Sequence, residues 1–194
     1  MRVLVTSFLV MTLGLVREAQ AGWEWGPCPK ASVKQGFSVD QYSGIWYERF
    51  RDKSVWYEQG DCVQAKYTKR SDGSLEVRNT QRKPGQSSIK TASRAARATC
   101  KEPSGQCYVS FYKIDRGDYA ILDTDFTNYA VVKECENILF GLFRQEFVWI
   151  LTRTPTTDTT AALAALTTKY PHYDQNKNLK STFQSATECP YPYT

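Results

Sequence analysis

The sequence predicts an all-β fold: an eight-stranded up-and-down antiparallel barrel with one C-terminal α-helix packed outside it. Three observations carry this prediction. From Gly44 to Arg153, short runs rich in Val, Tyr, Phe, Ile and Thr alternate with Gly, Pro, Asp and Ser clusters, a strand-and-turn texture. Eight such runs follow one another, mostly at hairpin spacing, which favours sequential antiparallel neighbours over a parallel sheet. Beyond Arg153 the texture changes to TPTTDTTAALAALTTKY, where Asp158 can cap a helix carried by residues 161–166.

At the start of the chain Arg2 precedes the apolar run VLVTSFLVMTLGLV, and Ala19-Gln20-Ala21 supplies the small-x-small pattern of a cleavage site before Gly22. This predicts a secretory signal peptide over 1–21 and a single domain over 22–194. The apolar run is shorter than the ~20 residues a membrane-spanning helix needs, so the mature protein is expected to be soluble and extracellular. Cleavage would leave 23 basic and 19 acidic residues, a mild excess without a clustered basic face, which argues against a nucleic-acid partner. Cys28, Cys62, Cys100, Cys107, Cys135 and Cys189 all follow the leader, and an even count in an exported chain argues for three disulfides. Spacing leaves the pairing open, although Pro103, Ser104 and Gly105 form a turn between Cys100 and Cys107 that suits a local staple. With one histidine, His172, and no Cys-x-x-Cys pair, no metal site is expected.

The predicted strands are IWYERF (45–50), CVQAKYTK (62–69), SLEVRNTQ (74–81), IKTASRAARA (89–98), CYVSFYKI (107–114), YAILDT (119–124), YAVVKEC (129–135) and FVWILTR (147–153). The sharpest hairpin turns are expected at 71–73 and 115–118. Because neighbours in a strand face opposite sides, Val63, Ala65 and Tyr67 share one face, as do Leu75, Val77, Asn79 and Gln81, and these are the inward sets. Asn79 and Gln81 are polar without charge, which suits a cavity that hydrogen-bonds a ligand better than a dry core. The first run is less regular, since Trp46, Glu48 and Phe50 share a parity: either Glu48 faces the cavity or a bulge shifts the alternation. Leu163, Leu166 and Tyr170 follow helical spacing and present one stripe to the outside of the barrel.

Gly44-x-Trp46 opening the first strand, Thr124-Asp125-Phe126 after the sixth and Arg153 ending the eighth resemble the three signature regions of lipocalins. The likeness covers most of 28–155 through CPK, YSGIWYE, GDCVQAKY, TDFTNYAVVKEC and FVWILTRTP, and is greatest to the group of apolipoprotein D, insect bilin-binding proteins and crustacyanin subunits. It departs at Phe126, where tyrosine is usual, and in the charged segment KTASRAARATCK. The resemblance implies that Gly44 lets the chain turn tightly, that Trp46 closes the barrel floor, that Arg153 lies across its indole in a cation–π contact, and that Asp125 orders the adjoining loop. It also implies Cys28–Cys135 and Cys62–Cys189, which leaves Cys100 for Cys107.

An eight-stranded barrel is about the size that holds one small molecule. Its inward candidates are Phe50, Tyr67, Asn79, Gln81, Tyr119 and Trp149. By resemblance the cargo is a noncovalently held pigment, a biliverdin-type bilin or a carotenoid, with fatty acid, steroid or retinoid as the alternative and no cofactor required. Arg94, Arg97 and Lys101 either pair with bilin propionates or form a solvated strand face. Ile138-Leu139-Phe140-Gly141-Leu142-Phe143 and Trp56-Tyr57 rim the open end in the family, as a lid or as a membrane-surface or homo-oligomer contact. No enzymatic activity is expected, because every cysteine has a plausible partner and His172 lacks a nucleophile at a recognisable spacing.

Overall fold

The computed structural model describes residues 23–92, 95–111 and 114–194, with the backbone alone at 111 and 114–117. The leader expected over 1–21 and the side chain of Arg94 lie outside the described residues. In chain order the elements are β1 (Trp23–Trp25), α1 (Val39–Tyr42), β2 (Gly44–Asp52), β3 (Asp61–Lys69), β4 (Leu75–Arg82), β5 (Lys90–Thr91), β6 (Ala96–Cys100), β7 (Gln106–Phe111), β8 (Ile114–Thr124), β9 (Tyr129–Ile138), β10 (Phe143–Thr152), α2 (Thr160–Lys169), α3 (Gln175–Asn178) and β11 (Leu179–Ser181). Antiparallel pairing runs β2-β3-β4-β6-β7-β8-β9-β10, and β10 closes the ring by pairing Trp149–Thr152 with Arg51–Tyr47 of β2. The result is a closed eight-stranded barrel, as the run spacing predicts.

Three local departures stand out. The expected strand 89–98 is split into β5 and β6, both paired with β4. The expected turn at 115–118 lies inside β8 instead, where Asp115 pairs with Ser110 and Asp118 with Tyr108. The reversal comes earlier, between the partners Phe111 and Ile114, and the extra residue Gly117 is absorbed at a register shift. Glycine next to aspartate signals a bulge as readily as a turn. In β2, Leu151 faces Glu48 while Ile150 faces Phe50, so Arg49 is the inserted residue. That bulge reverses the alternation: Trp46, Glu48 and Arg51 turn inward and Phe50 turns out.

Two apolar layers result. The inner one joins Trp46, Tyr42, Tyr67, Val77, Val109 and Trp149 with their neighbours. The outer one packs Ala162, Leu166 and Tyr170 of the C-terminal helix region against Ala120, Leu122, Val131, Val148 and Ile150. Asp158 accepts the amide of Thr160 at 2.6 Å, so its carboxylate serves the first turn of α2 although Thr159 occupies the capping position. The second half of β2 pairs with β11, and Cys62–Cys189 fastens the tail to β3. Cys28–Cys135 ties the N-terminal segment to β9, and Cys100–Cys107 links paired residues of β6 and β7.

Candidate ligand-binding site

The closed end is built from the signature residues. Gly44 has φ +107°, a conformation that disfavours a side chain, and a Cβ there would stand 3.1 Å from a guanidinium nitrogen of Arg153. The chain therefore turns sharply from α1 into β2 and delivers Trp46 to the floor, where its indole is fully buried and donates to the Tyr42 carbonyl at 2.9 Å. The Arg153 guanidinium lies 3.7 Å from the indole centroid. It donates to the carbonyls of Phe126, Ile45, Gln41 and Tyr42 at 2.9, 3.0, 2.8 and 3.3 Å. Asp125 accepts the amides of Thr127, Asn128 and Tyr129 and so shapes the loop that offers the Phe126 carbonyl. Thr124 Oγ1 accepts the Phe126 amide and donates to the Tyr129 carbonyl.

Above this floor is a cavity of about 640 Å³ that opens at the opposite end. Its walls are mostly apolar: Val63, Ala65, Val77, Ala96, Val109 and Leu151, with Tyr67, Tyr119, Phe147 and Trp149. The Tyr67 and Tyr119 hydroxyls share a hydrogen bond of 2.9 Å. Burial pushes the Tyr67 hydroxyl up to about 12 and raises Tyr119 and Tyr42 well above their ordinary range, so all three are neutral phenols at physiological pH.

The polar side of the cavity is acidic. From the loop between β2 and β3, Glu58 reaches inward and accepts from Asn79 Nδ2 at 3.0 Å and Trp149 Nε1 at 3.1 Å. Glu48 accepts from Arg51 and from the Thr182 hydroxyl, both through Oε1. Burial, reinforced by the charge of Glu58 and opposed by Arg51, pushes Glu48 up to about 8. Glu134 and Glu136 also line the space, and no lysine, arginine or histidine does so among the described residues.

Of the residues singled out from sequence, Tyr67, Asn79, Tyr119 and Trp149 line the cavity. Gln81 instead accepts the Gly60 amide at 2.9 Å and holds the loop that carries Glu58. A Cβ on Gly60 would approach the Arg82 carbonyl to 2.5 Å, so only glycine fits this crossing. Phe50 lies outside the barrel with Leu163 and Leu179, because the Arg49 bulge turns it away. Arg97 pairs with Asp72 at 2.7 Å on the outer face, and Lys101 rests on the Tyr108 ring, so neither reaches the cavity. Strand parity could have found Phe147, two residues from Trp149; Glu58 sits on a loop, where no periodicity points to it.

The barrel, plugged at one end and hollow at the other, defines a container for one small molecule. The chain belongs to the lipocalin family: the lipocalin-like domain model matches residues 37–182. It is 34% identical over 146 residues to apolipoprotein D of Cavia porcellus, covering 75% of this chain and 76% of that protein. To the Lazarillo protein of Schistocerca americana it is 30% identical over 165 residues, covering 84% and 77%. Among solved structures, insecticyanin from the tobacco hornworm Manduca sexta superposes with a TM-score of 0.70 at 18% identity, covering 88% of this chain and 93% of that one. Lobster apocrustacyanin A1 superposes at 0.62 with 18% identity, covering 83% and 94%. These two establish the likeness of fold.

Proposed function

We propose that the protein is exported by its leader and carries one small hydrophobic molecule, held noncovalently in the barrel, without catalysing a reaction on it. The observation that supports this is the 640 Å³ cavity with aromatic and aliphatic walls and a few fixed polar groups, the usual make-up of a small-molecule site. Tyr67, Asn79, Tyr119 and Trp149 are its contacts. Among the ligands implied by resemblance, those lacking a carboxylate match the lining best: carotenoid, steroid or retinoid. A bilin or a fatty acid would bring carboxylates toward Glu48 and Glu58, while Arg97 and Lys101 face the other way. All six cysteines are paired, which favours noncovalent retention. The test is an absorption spectrum and mass spectrometry of protein purified from its source. One hydrophobic molecule per chain, released by organic solvent, supports the proposal; a ligand-free chain that takes up no neutral hydrophobic probe overturns it.

A second reading rests on the open end. Trp25, Leu139, Phe140 and Leu142 are solvent-exposed, Phe140 completely so, and Trp56 projects beside the mouth. Trp25 packs at a tilt against Phe143, with ring centroids 4.4 Å apart, which makes β1 and the 138–143 turn one apolar patch. Tyr57 packs 5.9 Å from Phe147, so the loop at 56–57 partly covers the mouth while 138–143 stays outside. This patch is a membrane-surface contact. Phe140→Ser with Leu142→Ser is expected to abolish co-sedimentation with phosphatidylcholine vesicles without lowering thermal stability; wild-type protein that ignores vesicles overturns the assignment.

A further inference from the structure

The cavity's polar groups are unbalanced in two ways. First, charge: Glu48 and Glu58 are both buried, and one buried guanidinium, Arg51, pairs with Glu48. Arg51 donates to Glu48 and to Thr182, whereas the donors to Glu58 among the described residues are the neutral Asn79 and Trp149. A further cation, Lys180 of β11, does not line the cavity and donates to Gln59 Oε1 at 3.3 Å. A buried charge without a partner is costly, so two carboxylates against one guanidinium leave room for one more positive charge. Second, hydrogen bonding: the indole of Trp149 and an amide hydrogen of Asn79 are already given to Glu58, and the Tyr67 and Tyr119 hydroxyls bond each other. Of the described residues that line the cavity, Asn79 Oδ1, an acceptor, is buried without a partner, while Arg51 Nε beside Glu48 is a buried donor without one. Both hydrogen bonds to the Glu48 carboxylate fall on Oε1.

From this imbalance we infer that the barrel's cargo is an amphipathic amine, whose protonated nitrogen is held by Glu48, Glu58 and Asn79 while its apolar body fills the space between the aromatic walls. The inference rests on the carrier function proposed above and narrows it from a ligand without a carboxylate to one with an ammonium. A metal ion is a poorer occupant, since among the described residues no three His, Cys, Asp or Glu are placed to hold one. Trp149, Tyr67 and Phe147 also line the space, and aromatic ring faces attract an ammonium more strongly where water is excluded. Burial and Glu58 hold the Glu48 carboxyl up to about 8, so near neutrality the entering ammonium takes the place of a proton.

The test is competition against N-phenyl-1-naphthylamine, a fluorescent probe that is uncharged near pH 8, using decylamine, 1-decanol and decanoate as competitors with the same chain. Decylamine is expected to displace the probe at a concentration at least about tenfold below that for decanoate, with decanol between them. In Glu48→Gln and in Glu58→Gln the amine-to-carboxylate ratio should fall toward one. Reading the ratio within each protein cancels any general loss of affinity, and circular dichroism confirms that each variant is folded. Failure of the probe to enter at all overturns the carrier function itself. Entry of the probe with decanoate equal to or better than decylamine overturns the amine inference alone, as does an amine preference that survives both substitutions.

Discussion

Replacing Arg153 with methionine removes the charge and the donors from the barrel floor while keeping most of the apolar stem. Three losses add. The guanidinium leaves the Trp46 ring, 3.7 Å away, at a cost of about 1 kcal/mol for a partly exposed cation–π contact. The carbonyls of Ile45 and Phe126 lose their partners, and each costs about 1–1.5 kcal/mol at a partly buried site. The Gln41 carbonyl is exposed and can turn to water, and the Tyr42 carbonyl keeps the Trp46 indole as its donor. The expected destabilisation is therefore about 3–4 kcal/mol, with Arg153→Lys in between because an ammonium keeps the charge but cannot span four carbonyls. Urea denaturation followed by far-ultraviolet circular dichroism measures it, as a lower midpoint at unchanged slope. A loss below about 1 kcal/mol would show that the floor holds without its arginine and refute a structural role built on these contacts.

Two further outcomes follow from the same structure. Cys62 and Cys189 are 127 residues apart, so Cys62→Ser with Cys189→Ser should cost about 3–5 kcal/mol and release the tail to proteolysis beyond β11; protection of the tail equal to wild type would contradict its dependence on the bridge. Glu48 binds its proton more tightly folded than unfolded, since burial raises it from about 4.5 to about 8. Its contribution to stability is complete below about pH 4.5 and is lost as pH rises through about 8. Glu48→Gln should flatten this decline, measured as urea midpoints from about pH 5 to 9, and parallel curves for the two proteins would refute it.

The signature residues show why the floor was legible through the resemblance to lipocalins. Gly44, Trp46 and Arg153 act through short-range requirements that only a few residue types meet: a positive φ, a large ring, a planar cation. Such requirements leave their mark at fixed positions. Period-two alternation likewise placed Val63, Ala65, Tyr67, Val77 and Asn79 on the inner face, because a barrel wall has one dry side. Phe50 shows the limit of that rule. One inserted residue, Arg49, reverses everything after it, and the irregular parity of the run allowed a bulge without showing that there was one or where it falls.

By itself, then, the sequence determined the barrel, the helix outside it and the inward identity of most wall residues, since each depends on local periodicity, while the plugged floor was read from the resemblance to lipocalins. The tertiary structure decided what the cavity offers a ligand. Glu58 enters from a loop, Glu48 is paired by Arg51 across a bulge, and Arg97 turns outward to Asp72. Charge balance inside a cavity is a property of groups brought together from distant parts of the chain, and no window of sequence contains it.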